Sequence, residues 1–527
     1  MKVCRNCENQ FEISLGDIEF YKKIDVPEPL ICPDCRIQKR AAHRNERSLY
    51  KRKCDLCNCE MISVFPAESD FVVYCNKCWW SDKWDIMDYG QDFDFNRPFF
   101  EQFNELQKVV PHYALFLDGT SENCDYTNFG MGNKNCYMSV CVMSEDVYYS
   151  DEIVECKSCI SCQKCVKCEL CYDCIDCNQS YNLLFSQDCQ NCNNSYFLKD
   201  CIGCSDCFCS VGLRNAQYYF CNQKLSEEEY LKKVEAIEFT DSSILEWKNK
   251  RDEISLRLPK KYLHGNGNVD VSGDYLDNCK NIKQCFDCLG LEDSSYCVFS
   301  GYNTRNIYDC TNTGMGSELC YQTDGGSNFH NCKCVFFGRN LSDCEYCKYC
   351  FASEFLFGCI GLNHKKYCIF NKQYSEDEFL KLKGRIIDHM RSEYGEYFPI
   401  EISPYAYNET KAQDYYPLTK EEALAKGYKW RDRSGEVLER NQDQGLSCED
   451  CSQNYRIIKQ EQDFYEKFKL PGPKKCPECR NMGRRVLRNH RRLWDRKCMG
   501  CETFLKTSYS VERPEKVYCE ECYLELI

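Results

Sequence analysis

From Cys141 to Ala216 the chain keeps a period of three. The register runs Cys141, Ser144, Val147, Ser150, Ile153, then eight cysteines (Cys156, Cys159, Cys162, Cys165, Cys168, Cys171, Cys174, Cys177), and continues through Ser180, Leu183, Ser186, Cys189, Cys192, Ser195, Leu198, Cys201, Cys204, Cys207, Ser210 and Leu213 to Ala216. These positions are small or apolar; those between are mostly charged, amide or aromatic. An α-helix drifts off any three-residue register and a flat strand repeats every two. Polyproline II repeats every three but favours Pro or regular Gly, and this stretch has no Pro and only Gly203 and Gly212. A second period decides the matter: Tyr148, Ile160, Tyr172, Leu184, Tyr196, Phe208 and Phe220 recur every twelve residues, each one place after a register position. The pattern predicts a narrow β-solenoid of twelve-residue coils. Each coil points four small side chains inward, adds one large residue to an outer ladder and rises about 4.8 Å.

A second block, 275–370, starts in the same register (Cys279, Ile282, Cys285, Cys288, Leu291, Ser294, Cys297, Ser300), shifts phase across 301–318, and resumes at Cys320, Cys332, Cys344, Cys347, Cys350 and Cys359. Both blocks end alike, in Asn222 with Ser226 and Glu229 and in Asn371 with Ser375 and Glu378, 149 residues apart. Ser followed three places on by Glu is a capping box, so a helix should follow each block. Further helices are expected at 98–109, with Phe99, Phe103 and Leu106 on one face, near 242–254, and at 418–426 after Thr419 and before Gly427. The fold class that results is mainly β. A duplicated Cys-rich β-solenoid carries small zinc-ribbon modules at both ends and a few short helices. The division is 1–80 (double zinc-ribbon module), 81–122 (aromatic cap or junction), 123–222 (first solenoid half), 223–274 (helical insertion), 275–370 (second half), 371–447 (helix and extended strap) and 448–527 (second double module). One continuous stack and two separate stacks both fit.

The ends are one module used twice. Cys4, Cys7, Cys32, Cys35, Cys54, Cys57, Cys75 and Cys78 map at a constant offset of 444 onto Cys448, Cys451, Cys476, Cys479, Cys498, Cys501, Cys519 and Cys522. Four C-x-x-C pairs per module point to two tetrahedral Cys4 zinc sites, about four zincs per chain, because one such turn offers two thiolates to a metal and two turns complete the set. Metal binding would also stabilise a module with little core of its own. The plain pairing joins Cys4/Cys7 to Cys32/Cys35 and Cys54/Cys57 to Cys75/Cys78; a cross-braced pairing also fits.

The first half of each module resembles the family called "probable zinc-ribbon domain", on Cys4, Cys7, Phe11, Phe20-Tyr21, Pro27, Pro29, Cys32, Cys35 and Arg36, with counterparts Cys448, Cys451, Tyr455, Phe464-Tyr465, Pro471, Pro473, Cys476, Cys479 and Arg480. The whole chain resembles large uncharacterised Cys-rich zinc-ribbon proteins of candidate-phylum bacteria, in phrases such as Cys78-Trp79-Trp80-Ser81-Asp82-Lys83-Trp84 and Tyr407-Asn408-Glu409-Thr410. The resemblance implies metal binding and little else.

Composition narrows the function classes. There are 48 cysteines in 527 residues, yet no apolar leader opens the sequence and no run is long enough to span a membrane. The expectation is a cytoplasmic protein whose cysteines are thiols and metal ligands. Seven histidines form no metalloprotease motif, and neither a Walker A loop nor a dinucleotide fingerprint occurs, so an enzyme is not expected. Net charge is −14, but residues 36–53 carry eight Lys or Arg against Glu46 and residues 480–497 carry eight against Asp495, +7 each. These arms include Arg36, Arg40, Arg44, Arg47, Arg52, Lys53, Arg480, Arg484, Arg488, Arg491, Arg496 and Lys497. They suit phosphate contacts with RNA, DNA or a ribonucleoprotein, or a clamp against the acidic middle, or a protein partner. The leading reading is a zinc-binding scaffold or adaptor. The alternative is a redox or iron–sulfur protein, or a metal buffer, using the central cysteines.

Overall fold

The computed structural model describes residues 1–117, 119–432 and 445–527; positions 433–444 of the expected strap lie outside the described residues. Strands dominate, in Cys-rich sheets, and helices are few.

Through the first block the backbone returns every twelve residues to pair in parallel with itself, as in Glu145 with Lys157, Lys157 with Glu169 and Glu169 with Tyr181. The aromatic ladder pairs the same way, Tyr148 to Ile160 to Tyr172 to Leu184 to Tyr196 to Phe208 to Phe220. The period of three has a backbone cause. Along the run the residue before each inward position is left-handed: Glu155, Ser158, Ser161, Lys164, Lys167, Leu170, Asp173 and Asp176 all have φ between 52° and 55° except Asp176 at 50°. Two extended residues followed by one left-handed residue turn a corner. Asn and Asp tolerate that conformation best among residues with a Cβ, and Asp173, Asp176, Asp188, Asn191, Asn194 and Asp200 fill such corners.

The inward residues are hydrogen-bonding groups as well as filler. Cys162 Sγ donates to the carbonyls of Ile160 and Cys171, each at 3.4 Å. The Cys168 N–H donates to Cys156 Sγ at 3.2 Å, and the Cys162 N–H to Ser150 Oγ at 3.0 Å. A small side chain that both donates and accepts is what each corner needs, which is why Cys and Ser interchange there. All 48 cysteines are free, and Cys159, Cys162, Cys165, Cys171, Cys174 and Cys177 are fully buried.

The second block forms a separate ten-stranded sheet. Each sheet is closed by an antiparallel pair, Tyr219–Phe220 against Gln223–Lys224 and Cys368–Ile369 against Lys372–Gln373. The 301–318 phase shift is two thirteen-residue rungs, as in Leu291 to Thr304 and Arg305 to Glu318, after which twelve-residue pairing resumes at Glu318 to His330. The added residues fall after Ser300 and Thr313, where Gly301, Tyr302, Asn303, Met315 and Gly316 take positive φ. Thr304, Ile307, Cys310 and Thr313 stay buried between them.

The helices are α1 (Leu15–Lys23), α2 (Pro33–Ala41), α3 (Asn76–Trp79), α4 (Phe99–Val109), α5 (Glu227–Glu235), α6 (Asp241–Arg257), α7 (Glu376–Met390), α8 (Lys411–Tyr415), α9 (Lys420–Ala425), α10 (Lys459–Phe468), α11 (Pro477–Arg485) and α12 (Glu520–Leu524). Capping boxes start α5 at Ser226, α7 at Ser375 and α9 at Thr419. Phe99, Phe103 and Leu106 of α4 are fully buried.

The modules seat crosswise. The N-terminal module lies on the second stack, with Phe20 stacked on Tyr308 at 3.8 Å and Tyr21 edge-on to Tyr321 at 5.6 Å. The C-terminal module lies on the first, with Phe464 and Tyr465 against Tyr172 at 5.7 and 5.5 Å. Each module also pairs its last strand with the short strand that leads into the other stack. Val73–Tyr74 joins His112–Tyr113, and Val517–Tyr518 joins Lys260–Lys261.

Candidate metal centres

Each module builds two thiol clusters by one recipe. An antiparallel strand pair supplies the first C-x-x-C turn, as with Lys2–Val3 and Gln10–Phe11 around Cys4 and Cys7. A helix start supplies the second. Cys32, Cys75, Cys476 and Cys519 are the N-caps of α2, α3, α11 and α12, and Cys35, Cys78, Cys479 and Cys522 follow in the first turns. Pro33 and Pro477, at the first helical position, favour that start because their missing N–H has no partner to lose there. The second pair of each site is thus helical, not the second strand turn of a zinc ribbon.

The geometry repeats four times. The N–H of Cys32 reaches Cys4 Sγ at 3.2 Å, that of Cys75 reaches Cys54 at 3.3 Å, that of Cys476 reaches Cys448 at 3.2 Å, and that of Cys519 reaches Cys498 at 3.2 Å. Sulfurs from the two pairs lie 3.7 Å apart for Cys7/Cys32, 3.9 Å for Cys57/Cys75, and 3.7 Å for Cys451/Cys476 and Cys501/Cys519. Thiolates at roughly 2.3 Å from a tetrahedral zinc are roughly 3.8 Å from one another, so the donor sets fit zinc and the plain pairing holds over the cross-brace. Burial opposes ionisation of Cys448 and Cys498, yet backbone N–H groups of Cys476, Cys451 and Asp450, and of Cys501, Cys519 and Gly500, hold these thiols down at about 6.

Ligand-type clusters within 4.8 Å comprise Cys4/Cys7/Cys32/Cys35, Cys448/Cys451/Cys476/Cys479 and Cys498/Cys501/Cys519/Cys522, as the sequence suggests. The remaining thiol cluster is Cys54/Cys57/Cys59/Cys75. Cys59 enters it unforeseen, while Cys78 interacts with Cys57, Cys75 and Cys54. Cys57-x-Cys59 could have flagged this, since the duplication leaves Cys59 without a partner: position 503 is Thr. A fifth group, Glu46, Asp151 and Glu152, is occupied by the Lys411 ammonium, at 2.6, 3.3 and 3.2 Å. Among the described residues none of the Cys156–Cys177 thiols joins such a group.

The basic arms do not project. Arg36 pairs with Asp309 at 2.8 Å and Arg44 with Asp324 at 2.9 Å; Arg40 lies 3.5 Å from Asp309. Arg47 meets Glu478 at 3.2 Å and Arg52 meets Asp55 at 2.8 Å. In the other arm, Arg480 meets Glu461 at 2.9 Å, Arg484 lies 3.7 Å from Asp173, and Arg485 meets Asp151 at 2.6 Å. Arg488 joins Asp176 at 2.6 Å to Asp287 at 2.7 Å, and Arg491 meets Asp287 at 3.0 Å. Arg496 donates to the carbonyls of Ser510 and Glu515. Lys51, Lys53, Arg492 and Lys497 remain exposed. Most of these guanidiniums are thus buried against stack carboxylates.

A cysteine turn followed by a cysteine-capped helix start, twice in each end, defines a class of metal-binding module. Residues 442–486 match the family described as "probable treble clef domain", which implies zinc. Curated proteins return no match. A crystal structure of a provisionally assigned acetyltransferase from Desulfovibrio desulfuricans G20 aligns with 49% of this chain and 68% of its own at 10% identity; at a TM-score of 0.10 the likeness carries no argument. Among the described residues no helix is long and apolar enough to cross a membrane.

Proposed function

We propose that this protein is a zinc-stabilised, non-enzymatic scaffold. About four zincs, each on four thiolates, hold the two end modules in shape, and the modules clasp two acidic stacks. The parallel pairing at twelve-residue steps supports reading both stacks as narrow β-solenoids. The observation that carries the zinc reading is the fourfold recurrence of one thiol geometry, with 3.7–3.9 Å between sulfurs of the paired turns. The buried arginine pairs favour the clamp over a nucleic-acid surface, and the hydrogen-bonded core thiols favour a packing role over redox or iron–sulfur chemistry. Elemental analysis of protein purified without added metal tests this. About four zincs per chain are expected; clearly fewer, or stoichiometric iron with a visible chromophore, would overturn it.

A further inference from the structure

The four zinc sites are built alike except in one place. In each, the N–H of the first cysteine closes its turn on the carbonyl five residues on: Cys4 on Asn9, Cys54 on Cys59, Cys448 on Gln453 and Cys498 on Thr503, all at 2.9 Å. That fifth residue can reach the ligands, for Thr503 Oγ1 lies 3.2 Å from Cys501 Sγ. Only in the second site of the N-terminal module is it a thiol. Cys59 Sγ lies within 4.8 Å of Cys54, Cys57 and Cys75, and Cys78 interacts with the same three. Five thiols surround a centre that takes four.

From this we infer that Cys54, Cys57 and Cys75 form a fixed trio in this site, that Cys59 and Cys78 alternate as the fourth ligand, and that its zinc is the exchangeable one of the chain. The proposal rests on the zinc reading above. In the swap one Zn–S bond forms as the other breaks, and the departing thiolate takes up the proton the incoming thiol gives up, so site charge is unchanged and no oxidant is needed. The alternating ligands differ in access: Cys59 is exposed, whereas Cys78 is buried at the first turn of α3 beside Trp79. A ligand released to solvent gives an acceptor thiol or chelator a way in that the other three sites lack.

The test uses the full-length zinc-loaded protein. Cys78→Ser should keep the wild-type zinc content, whereas Cys522→Ser, its counterpart, should lose one zinc. In a challenge with a chromogenic zinc chelator, the wild type should release one zinc in a distinct fast phase. Cys59→Thr, which installs the residue of the twin site at an exposed position, should keep all the zinc and abolish that phase. Loss of one zinc from folded Cys78→Ser, or an unchanged fast phase in Cys59→Thr, would overturn the inference. Should Cys78→Ser fail to fold, the release kinetics of Cys59→Thr decide. Wild-type protein without zinc would instead sink the reading on which the inference rests.

Discussion

The two end modules share eight cysteines at a constant offset, yet they are held in different ways. The N-terminal module is wrapped. Its α2 face is covered by residues 398–428: His43 Nε2 lies 3.2 and 3.1 Å from the carbonyls of Phe398 and Pro399, Ser403 donates to the Ala42 carbonyl at 2.7 Å, and Gln38 donates to Tyr407 at 2.7 Å. Ala42 is 1% exposed, whereas its counterpart Val486 on the C-terminal module is 76% exposed. That module is held instead by arginines reaching both stacks, Arg488 bridging Asp176 and Asp287. The seats also share a pattern: Arg36 lies over Tyr296 at 5.1 Å and Arg480 over Tyr149 at 5.0 Å, each beside a carboxylate at matching positions, Asp17 and Glu461. One cysteine framework thus tolerates two kinds of attachment.

The sharpest test of this difference removes a metal site from each end. Cys32→Ser and Cys476→Ser should each lose one zinc and forfeit binding energy on the order of 10 kcal/mol. The first should disrupt more of the protein, since Phe20, Tyr21 and Trp79 belong to one aromatic core with α4 and the second stack; near-ultraviolet circular dichroism with zinc analysis would read both. Next in size, Arg488→Met strips Asp176, and Arg44→Met strips Asp324, of its ion-pair partner, each a loss of about 3–5 kcal/mol. Arg488→Met should cost more, and in hydrogen exchange it should deprotect α10 and α11 while leaving α1 and α2 protected. A smaller effect follows from pH. Burial opposes charge on His264, but Asp274 at 2.9 Å, helped by Asp188 and Asp200, raises it to about 9. A folded value above the unfolded one of about 6.5 gives stability that is full below pH 6.5 and lost as pH rises toward 9. Since His264 faces Tyr509 and Asp274 accepts from Ser508, raising the pH across that window should loosen the C-terminal module alone; His264→Gln should flatten the trend in thermal melts. Smallest of all, Cys162→Ser should cost under about 1.5 kcal/mol, while Cys162→Leu should cost about 1–3 kcal/mol by overpacking, and neither should change zinc content.

Local rules were legible in the sequence, and long-range ones were not. The period of three, the ladder of seven and the capping boxes at Ser226 and Ser375 follow from residues within one or two rungs of each other. The metal quartets were legible because the duplication aligns them. The helix starts after Cys32 and Cys476 were signalled by Cys-Pro but masked by the strand-type reading of C-x-x-C. The clamp against the acidic middle was one of three readings of the arms, and the sequence could not choose among them, because Asp309, Asp324, Asp176 and Asp287 look like any other acidic residue of the repeats until the modules are seated across the stacks. Cys59 was missed because a gapless alignment directs attention to cysteines that have twins.

Crosswise seating also bears on how the protein is made. Arg488 pairs with Asp176 across 312 positions, and Arg44 with Asp324 across 280. Emerging from a ribosome, the N-terminal module waits for the second stack, and the first stack waits with Tyr172 uncovered until residues near 465 appear. Contacts at such separation fold slowly, and an uncovered aromatic face invites association with other apolar surface. On the zinc reading proposed above, metal supply during synthesis matters doubly, since the module that ends the exposure would lack its fixed shape without it.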